Sequence, residues 1–172
     1  WATGNRPVTE LTGAIEHVQL GGNVHDKVDL VLIAPATANT IGKAAGGIDD
    51  TSVTTLFTTA LGEGIPICMV PAMHAPMYDH PLVTENIEKL RGCGVRFILP
   101  EISEGKAKMP DVDTIVWTSI SLLASDGPLS GKRVVVSAGR TVEYLDPIRV
   151  ITNNSSGKMG VELTKALLLA GA

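Results

Sequence analysis

The side chains best suited to chemistry concentrate in three short stretches, each placed after an apolar run. The first reads Pro35-Ala36-Thr37-Ala38-Asn39-Thr40. Its small residues let a planar ligand approach the backbone, and Thr37, Asn39 and Thr40 offer hydroxyl and amide partners. A helix starting there would also present free N–H groups to an anion. The plainer reading of the same residues is a helix cap after a turn. The second stretch, Pro71-Ala72-Met73-His74-Ala75-Pro76-Met77-Tyr78, sets a histidine between two methionines. That arrangement suits a cofactor or an acidic substrate group; a loop histidine with gap-filling methionines is the alternative. The third runs from Ala138-Gly139 to Asn153-Asn154-Ser155-Ser156-Gly157-Lys158. It reads as a Gly turn, a long loop and a helix N-terminus able to offer N–H groups to an anion. It lacks the full G-x-x-x-x-G-K-[ST] spacing of a phosphate loop.

The elements that must position these stretches follow from the apolar pattern. Val28 to Ala34, Ile65 to Val70, Val95 to Leu99 and Arg133 to Ser137 are short aliphatic runs closed by Pro or Gly, as buried parallel strands are. Helical patterns lie between them: Asp50 to Leu61, with Asp49 or Asp50 as N-cap, then His80 to Arg91, Asp111 to Ala124, and Ser156 to Ala170. His80, in Asp79-His80-Pro81, reads as a helix-start residue. The alternation predicts an α/β fold with a doubly wound parallel sheet and right-handed crossovers. Ligands in such sheets bind beyond the carboxyl ends of the strands. That rule selects the loops Pro35 to Thr40, Pro71 to Tyr78, Pro100 to Met109 and Ala138 to Asn154. Residues 125–131, Ser-Asp-Gly-Pro-Leu-Ser-Gly, read as a linker between a first domain, 1–124, and a second, 132–172.

Composition narrows the class. Apolar residues make up 44% of the chain and aromatics 3%, so the core must be Val, Ile, Leu and Ala, the palette of a sheet buried on both faces. Fourteen basic against eighteen acidic residues give a net charge of -4, which argues against nucleic-acid or membrane-surface binding. Cys68 and Cys93 make neither a disulfide framework nor a metal-ligand spacing, so no metal is expected and a reduced, cytoplasmic setting fits. No apolar run has the length of a membrane span.

An apolar strand, then A-P-A-T-A-N-T, a Gly-Ile-Asp-Asp helix start and a strand ending in P-A-M-H-x-x-M-Y form an ordered set. This set, from about Gly4 to Met109, resembles the phosphopantothenoylcysteine decarboxylase family of FMN proteins. The resemblance implies a flavodoxin- or Rossmann-like sheet of the flavin decarboxylase type. It implies FMN contacts at Pro35, Thr37, Ala38, Asn39 and Thr40, with substrate contacts at Met73, His74 and Met77. His17, in Glu16-His17-Val18-Gln19-Leu20, matches the family's catalytic histidine, and proton transfer is its implied role; His74 joins it as a second catalytic candidate. The implied reaction oxidises the thiol-bearing carbon of 4′-phosphopantothenoylcysteine, releases carbon dioxide and returns the electrons, giving 4′-phosphopantetheine. Family members assemble as trimers or larger, with the flavin near a subunit contact, so a homo-oligomer is implied.

Residues 131–160 resemble the opening of the synthetase domain fused to that decarboxylase in coenzyme A biosynthesis. The resemblance makes this stretch the first βα unit of a second Rossmann-like domain. Gly139, Asn153, Ser155, Ser156, Gly157 and Lys158 become its nucleotide and acyl-phosphate site, using CTP or another nucleoside triphosphate with Mg2+. Both chain ends read as cut, and the family's first strand and FMN phosphate turn are expected ahead of Trp1. Two departures stand out. His74 occupies a position that is asparagine in most members; archaeal members commonly show histidine there, and the chain resembles that type. The region after the third strand, Pro100 to Met109, has no cysteine where most members carry one on a flap; Lys106 or Lys108 is the candidate to bind or protonate substrate there, with an ordinary solvated pair as the alternative. Another flavin-dependent cysteine decarboxylase, or an FMN-binding regulatory module, are the competing readings.

Overall fold

The computed structural model describes residues 3–172. It divides into two compact units, Trp1–Ser119 and Ile120–Ala172.

The first unit opens with a short helix, α1 (Glu16–Gly21), and then β1 (Val31–Ala36). Helices α2 (Ala38–Gly46) and α3 (Ser52–Gly62) lead to β2 (Ile67–Pro71). After β3 (Met73–His74), α4 (Ala75–Tyr78) and α5 (Pro81–Gly92) comes β4 (Arg96–Phe97). Strands β1, β2 and β4 form a parallel sheet in the order β1-β2-β4. All five residues of β2 are buried, as a central strand covered on both faces requires. Phe57 and Ala60 of α3, Ile41 of α2, and Ile87 and Leu90 of α5 pack with Val31, Ile33, Ile67 and Met69 in one core. This is the α/β parallel architecture the sequence predicts.

Details differ from expectation. Strand β1 starts at Val31 rather than Val28 and runs on through Pro35 and Ala36, so Pro35 is a strand residue. The N-cap of α3 is Thr51, not Asp49 or Asp50. Thr51 and Thr54 bond reciprocally across the first turn, while both carboxylate oxygens of Asp50 are taken by the Lys43 ammonium at 2.8 Å. His80 caps α5, its Nδ1 accepting from the Leu82 N–H.

Residues 100–109 are not a loop. They form an antiparallel hairpin of β5 (Glu101–Ser103) and β6 (Lys106–Lys108), and β3 joins it in the order β3-β6-β5. Two residues make the turn, Glu104 at φ 51 and Gly105 at φ 69, and paired positive φ values match the twist of a tight hairpin. Helix α6 (Val112–Leu123) follows.

The second unit holds β7 (Val142–Tyr144), β8 (Val150–Thr152) and α7 (Lys158–Leu169). The strand expected over Arg133 to Ser137 is not formed, so this unit is not the simple βα opening expected. A strand needs a neighbour to share its ladder, and the described residues provide none; Val135 is 95% exposed. The stretch read as a long loop instead contains the antiparallel β7–β8 hairpin. Its turn is closed by Asp146, whose carboxylate accepts from the N–H groups of Ile148 and Arg149. Residues 125–131 are consecutive turns rather than a loose connection: the Leu129 N–H donates to the Ala170 carbonyl at the end of α7.

Candidate functional site

The sheet brings the first two candidate stretches side by side. Ala36 lies in register with Pro71, and the Ala72 N–H donates to the Ala36 carbonyl at 3.1 Å. The chain therefore leaves both strands at the same, carboxyl, end, where ligands of open parallel sheets bind. Thr37 caps α2 by accepting from the Thr40 N–H at 3.3 Å, and the two hydroxyls lie 3.2 Å apart. The capping reading of these threonines is thus correct, and it does not exhaust the stretch. Asn39 is exposed, and its carboxamide has no hydrogen-bond partner among the described residues. A small-residue strand end, two hydroxyls and a free amide suit the polar edge of a flat heterocycle.

Beyond β2, Met73 and His74 form β3, and Met77 lies exposed in α4. The β3–β6 pairing sets Met73 opposite Ala107 and His74 opposite Lys106. Lys106 thereby enters the site from the hairpin. Lys108 is held in an ion pair with Glu104 at 2.6 Å, so the hairpin's free ammonium is that of Lys106.

His17 sits on α1, apart from these loops. It lines a cavity of ≈ 100 Å³ with Val8, Leu11, Leu20, Ser52, Val53 and Leu56. No residue from 35–40 or 71–78 reaches that cavity. The Nδ1 of His17 is buried without a hydrogen-bond partner, a cost a folded chain seldom leaves standing away from a functional group. Backbone strain adjoins it: Ile15, at the N-cap of α1, is held at φ 51, where a β-branched residue is a true outlier. Next to it, the Thr12 hydroxyl and N–H hold the Glu16 carboxyl below its ordinary value. The walls from α3 were missed in the sequence because the cavity arises from α1 packing on α3, which no local pattern encodes. Cys68 is buried and its thiol is pushed up to about 11 by desolvation, so it is inert packing.

In the second unit the third stretch closes on itself. Asn153 donates from its amide to the Thr141 hydroxyl at 3.1 Å and accepts from the Ser155 N–H at 3.1 Å. The hydroxyls of Ser155 and Ser156 accept from the N–H groups of Gly157 and Lys158 at 3.3 and 3.4 Å. Gly139 lies against the start of α7: a Cβ on Gly157 would meet the Gly139 nitrogen at 3.3 Å, and one on Gly160 would collide with the Ala138 Cβ. Gly139, Asn153, Ser155, Ser156, Gly157 and Lys158 are thus assembled around one turn and one helix start.

A parallel α/β sheet with small, polar loops at its carboxyl end defines the class of nucleotide-type cofactor folds. Within it, the chain belongs to the flavoprotein family, which it matches over residues 1–124; residues 129–172 match the DNA/pantothenate metabolism flavoprotein C-terminal domain. It is 58% identical over all 172 of its residues to the coenzyme A biosynthesis bifunctional protein CoaBC of Thermococcus kodakarensis, covering 42% of that protein. It is 43% identical over 155 residues, 86% of this chain and 37% of the relative, to the protein of the same name from Bacillus subtilis. The chain therefore spans about two-fifths of the length of these curated relatives. Among solved structures, the FMN-dependent cysteine decarboxylase SpaF is similar at TM-score 0.57 and 33% identity, over 71% of this chain and 67% of that one.

Proposed function

We propose that the first unit is an FMN-dependent decarboxylase of coenzyme A biosynthesis, converting 4′-phosphopantothenoylcysteine to 4′-phosphopantetheine. The observation that carries the reading is the junction of Thr37–Thr40 and Met73–Met77 at one sheet end. It is supported by likeness to a coenzyme A biosynthesis protein along the whole chain and to an FMN-dependent cysteine decarboxylase over 71% of it. FMN, when bound, supplies the two-electron chemistry that lets the carboxylate leave. Thr37, Ala38, Asn39 and Thr40 would hold its polar edge, with Pro35 and Ala36 keeping the approach shallow. His74 and the methionines beside it hold the acidic end of the substrate. The imidazole of His17 holds or moves a proton, and its unpartnered Nδ1 leaves a nitrogen free for that task. Because His17 does not share a cavity with the other loops, assembly as a trimer or larger oligomer is part of the proposal: a second copy can complete the set.

The second unit is proposed to belong to the partner ligase that joins cysteine to 4′-phosphopantothenate with CTP or another nucleoside triphosphate and Mg2+. The match to a pantothenate-metabolism domain over residues 129–172 supports this over a stand-alone peptide-cysteine decarboxylase or a regulatory FMN binder. No helix among the described residues is long and apolar enough to cross a membrane, and a cytoplasmic setting is proposed. The test is direct: purified protein with FMN and 4′-phosphopantothenoylcysteine should release carbon dioxide and form 4′-phosphopantetheine. A preparation that retains flavin and releases none would overturn the enzyme in favour of the binding module.

A further inference from the structure

We propose that His74 and Lys106 form one cross-strand anion clamp, and that this pair, rather than His74 alone, selects ligands that still carry a carboxylate. The inference rests on the decarboxylase reading and deepens it. The two residues belong to separate stretches of the sequence and meet only because β3 pairs with β6, where they stand directly opposite. The Ala75 N–H donates to the Gly105 carbonyl at 2.9 Å. Hydrogen-bonded and non-hydrogen-bonded pairs alternate along an antiparallel ladder, so His74–Lys106 is a non-hydrogen-bonded pair, the kind whose side chains stand closest.

The faces of this small sheet are sharply divided. Ala107 is 2% exposed and Met73 packs against the core, so the Met73–Ala107 row faces inward. Side chains alternate along a strand, which puts His74, Lys106 and, across from Lys106 on β5, Ser103 in one row on the other face. All three are exposed. Neither His74 nor Lys106 has a side-chain hydrogen bond or ion pair among the described residues, whereas Lys108 is neutralised by Glu104. Basic groups directly opposed on a sheet repel when both are charged. A carboxylate set between them replaces that repulsion with two charge-assisted hydrogen bonds, and the Ser103 hydroxyl can supply a third.

The test uses FMN-loaded protein and two ligands compared by calorimetry. One is the serine counterpart of the substrate, 4′-phosphopantothenoylserine, which keeps the carboxylate but has no thiol to oxidise. The other is 4′-phosphopantetheine, which has lost the carboxylate. Lys106→Met is expected to weaken the serine ligand about 10-fold or more, the scale of a lost hydrogen bond to a charged group, and to leave 4′-phosphopantetheine within about twofold. Lys106→Arg should restore most of the affinity, and His74→Ala combined with Lys106→Met should cost less than the product of the single losses, as residues sharing one ligand group do. Equal weakening of both ligands by Lys106→Met makes Lys106 a structural residue and overturns the clamp, as does no weakening of either. Unmodified protein that binds 4′-phosphopantetheine as tightly as the serine ligand sinks the clamp alone. Unmodified protein that binds neither sinks the decarboxylase reading and the clamp with it.

Discussion

Replacing Thr51 with alanine tests whether the start of α3, and with it one wall of the His17 cavity, is held by the observed cap. The substitution removes the Oγ1 that accepts from the Thr54 N–H at 3.2 Å and contacts the Thr54 hydroxyl at 2.8 Å. Thr54 is only 2% exposed, so orphaning its hydroxyl would add a desolvation penalty of about 1–3 kcal/mol. It is not orphaned: it still donates to the Thr51 carbonyl at 3.2 Å and accepts from the Thr51 N–H at 3.0 Å. What remains is the loss of a side-chain cap, about 1 kcal/mol. Fraying cannot absorb the loss locally, because Phe57 and Ala60 anchor the same helix in the core. The melting midpoint should therefore fall by about 2–4 °C, the scaling for a chain of this size, and Thr51→Ser should recover it. Circular-dichroism melts and urea titrations read both. A midpoint unmoved by Thr51→Ala would refute the capping argument; a loss above about 3 kcal/mol would show that the Thr54 hydroxyl has no second partner after all.

Two further outcomes follow from the second unit. Hydrogen bonds from the Ile148 and Arg149 N–H groups hold the Asp146 carboxyl below its ordinary value of 3.8. A depressed carboxyl stabilises the fold above that value, and the contribution is lost as pH falls through the folded-state value. The melting difference between the unmodified chain and Asp146→Asn should thus be full at neutral pH and shrink in acid; a difference constant with pH would rule out the carboxylate as its source. Gly160→Ala should destabilise this unit by about 1–3 kcal/mol through overpacking against Ala138, outweighing the roughly 1 kcal/mol that Gly→Ala normally adds to a helix interior. A rise in the urea midpoint would show that Ala138 yields.

What was legible in the sequence is what local pattern controls. Val28 to Ala34 and Ile65 to Val70 are aliphatic runs followed by proline, and both hold strands, the first starting three residues later than expected and running on through Pro35, the second starting two residues later. The helices expected over Asp50 to Leu61 and His80 to Arg91 do stop at the glycines that follow them, Gly62 and Gly92, whereas α2, ending at Gly46, was not among the helices read from the pattern. The hairpin of residues 101–108 escaped because Glu101, Ser103, Lys106 and Lys108 swamp the two apolar positions, Ile102 and Ala107, that betray its period. Arg133 to Ser137 misled for the opposite reason: its valines advertise a strand, yet pairing depends on a neighbour that the run itself cannot specify. For the candidate site, the loops at the sheet end were visible as residue types. The opposition of His74 to Lys106 was not, because register between distant strands is a tertiary property. The wall that α3 gives the His17 cavity was hidden for the same reason.

The two-residue turn at Glu104-Gly105 places a rule on how this lineage can vary. With no slack in the turn, inserting or deleting a single residue in the β6 arm would rotate Lys106 toward the core and bring an apolar neighbour to the surface, whereas a change of two would keep every side chain on its present side. Viable length variants of the hairpin should therefore differ in steps of two, and a parity count across related sequences becomes a readout of which face selection has been protecting.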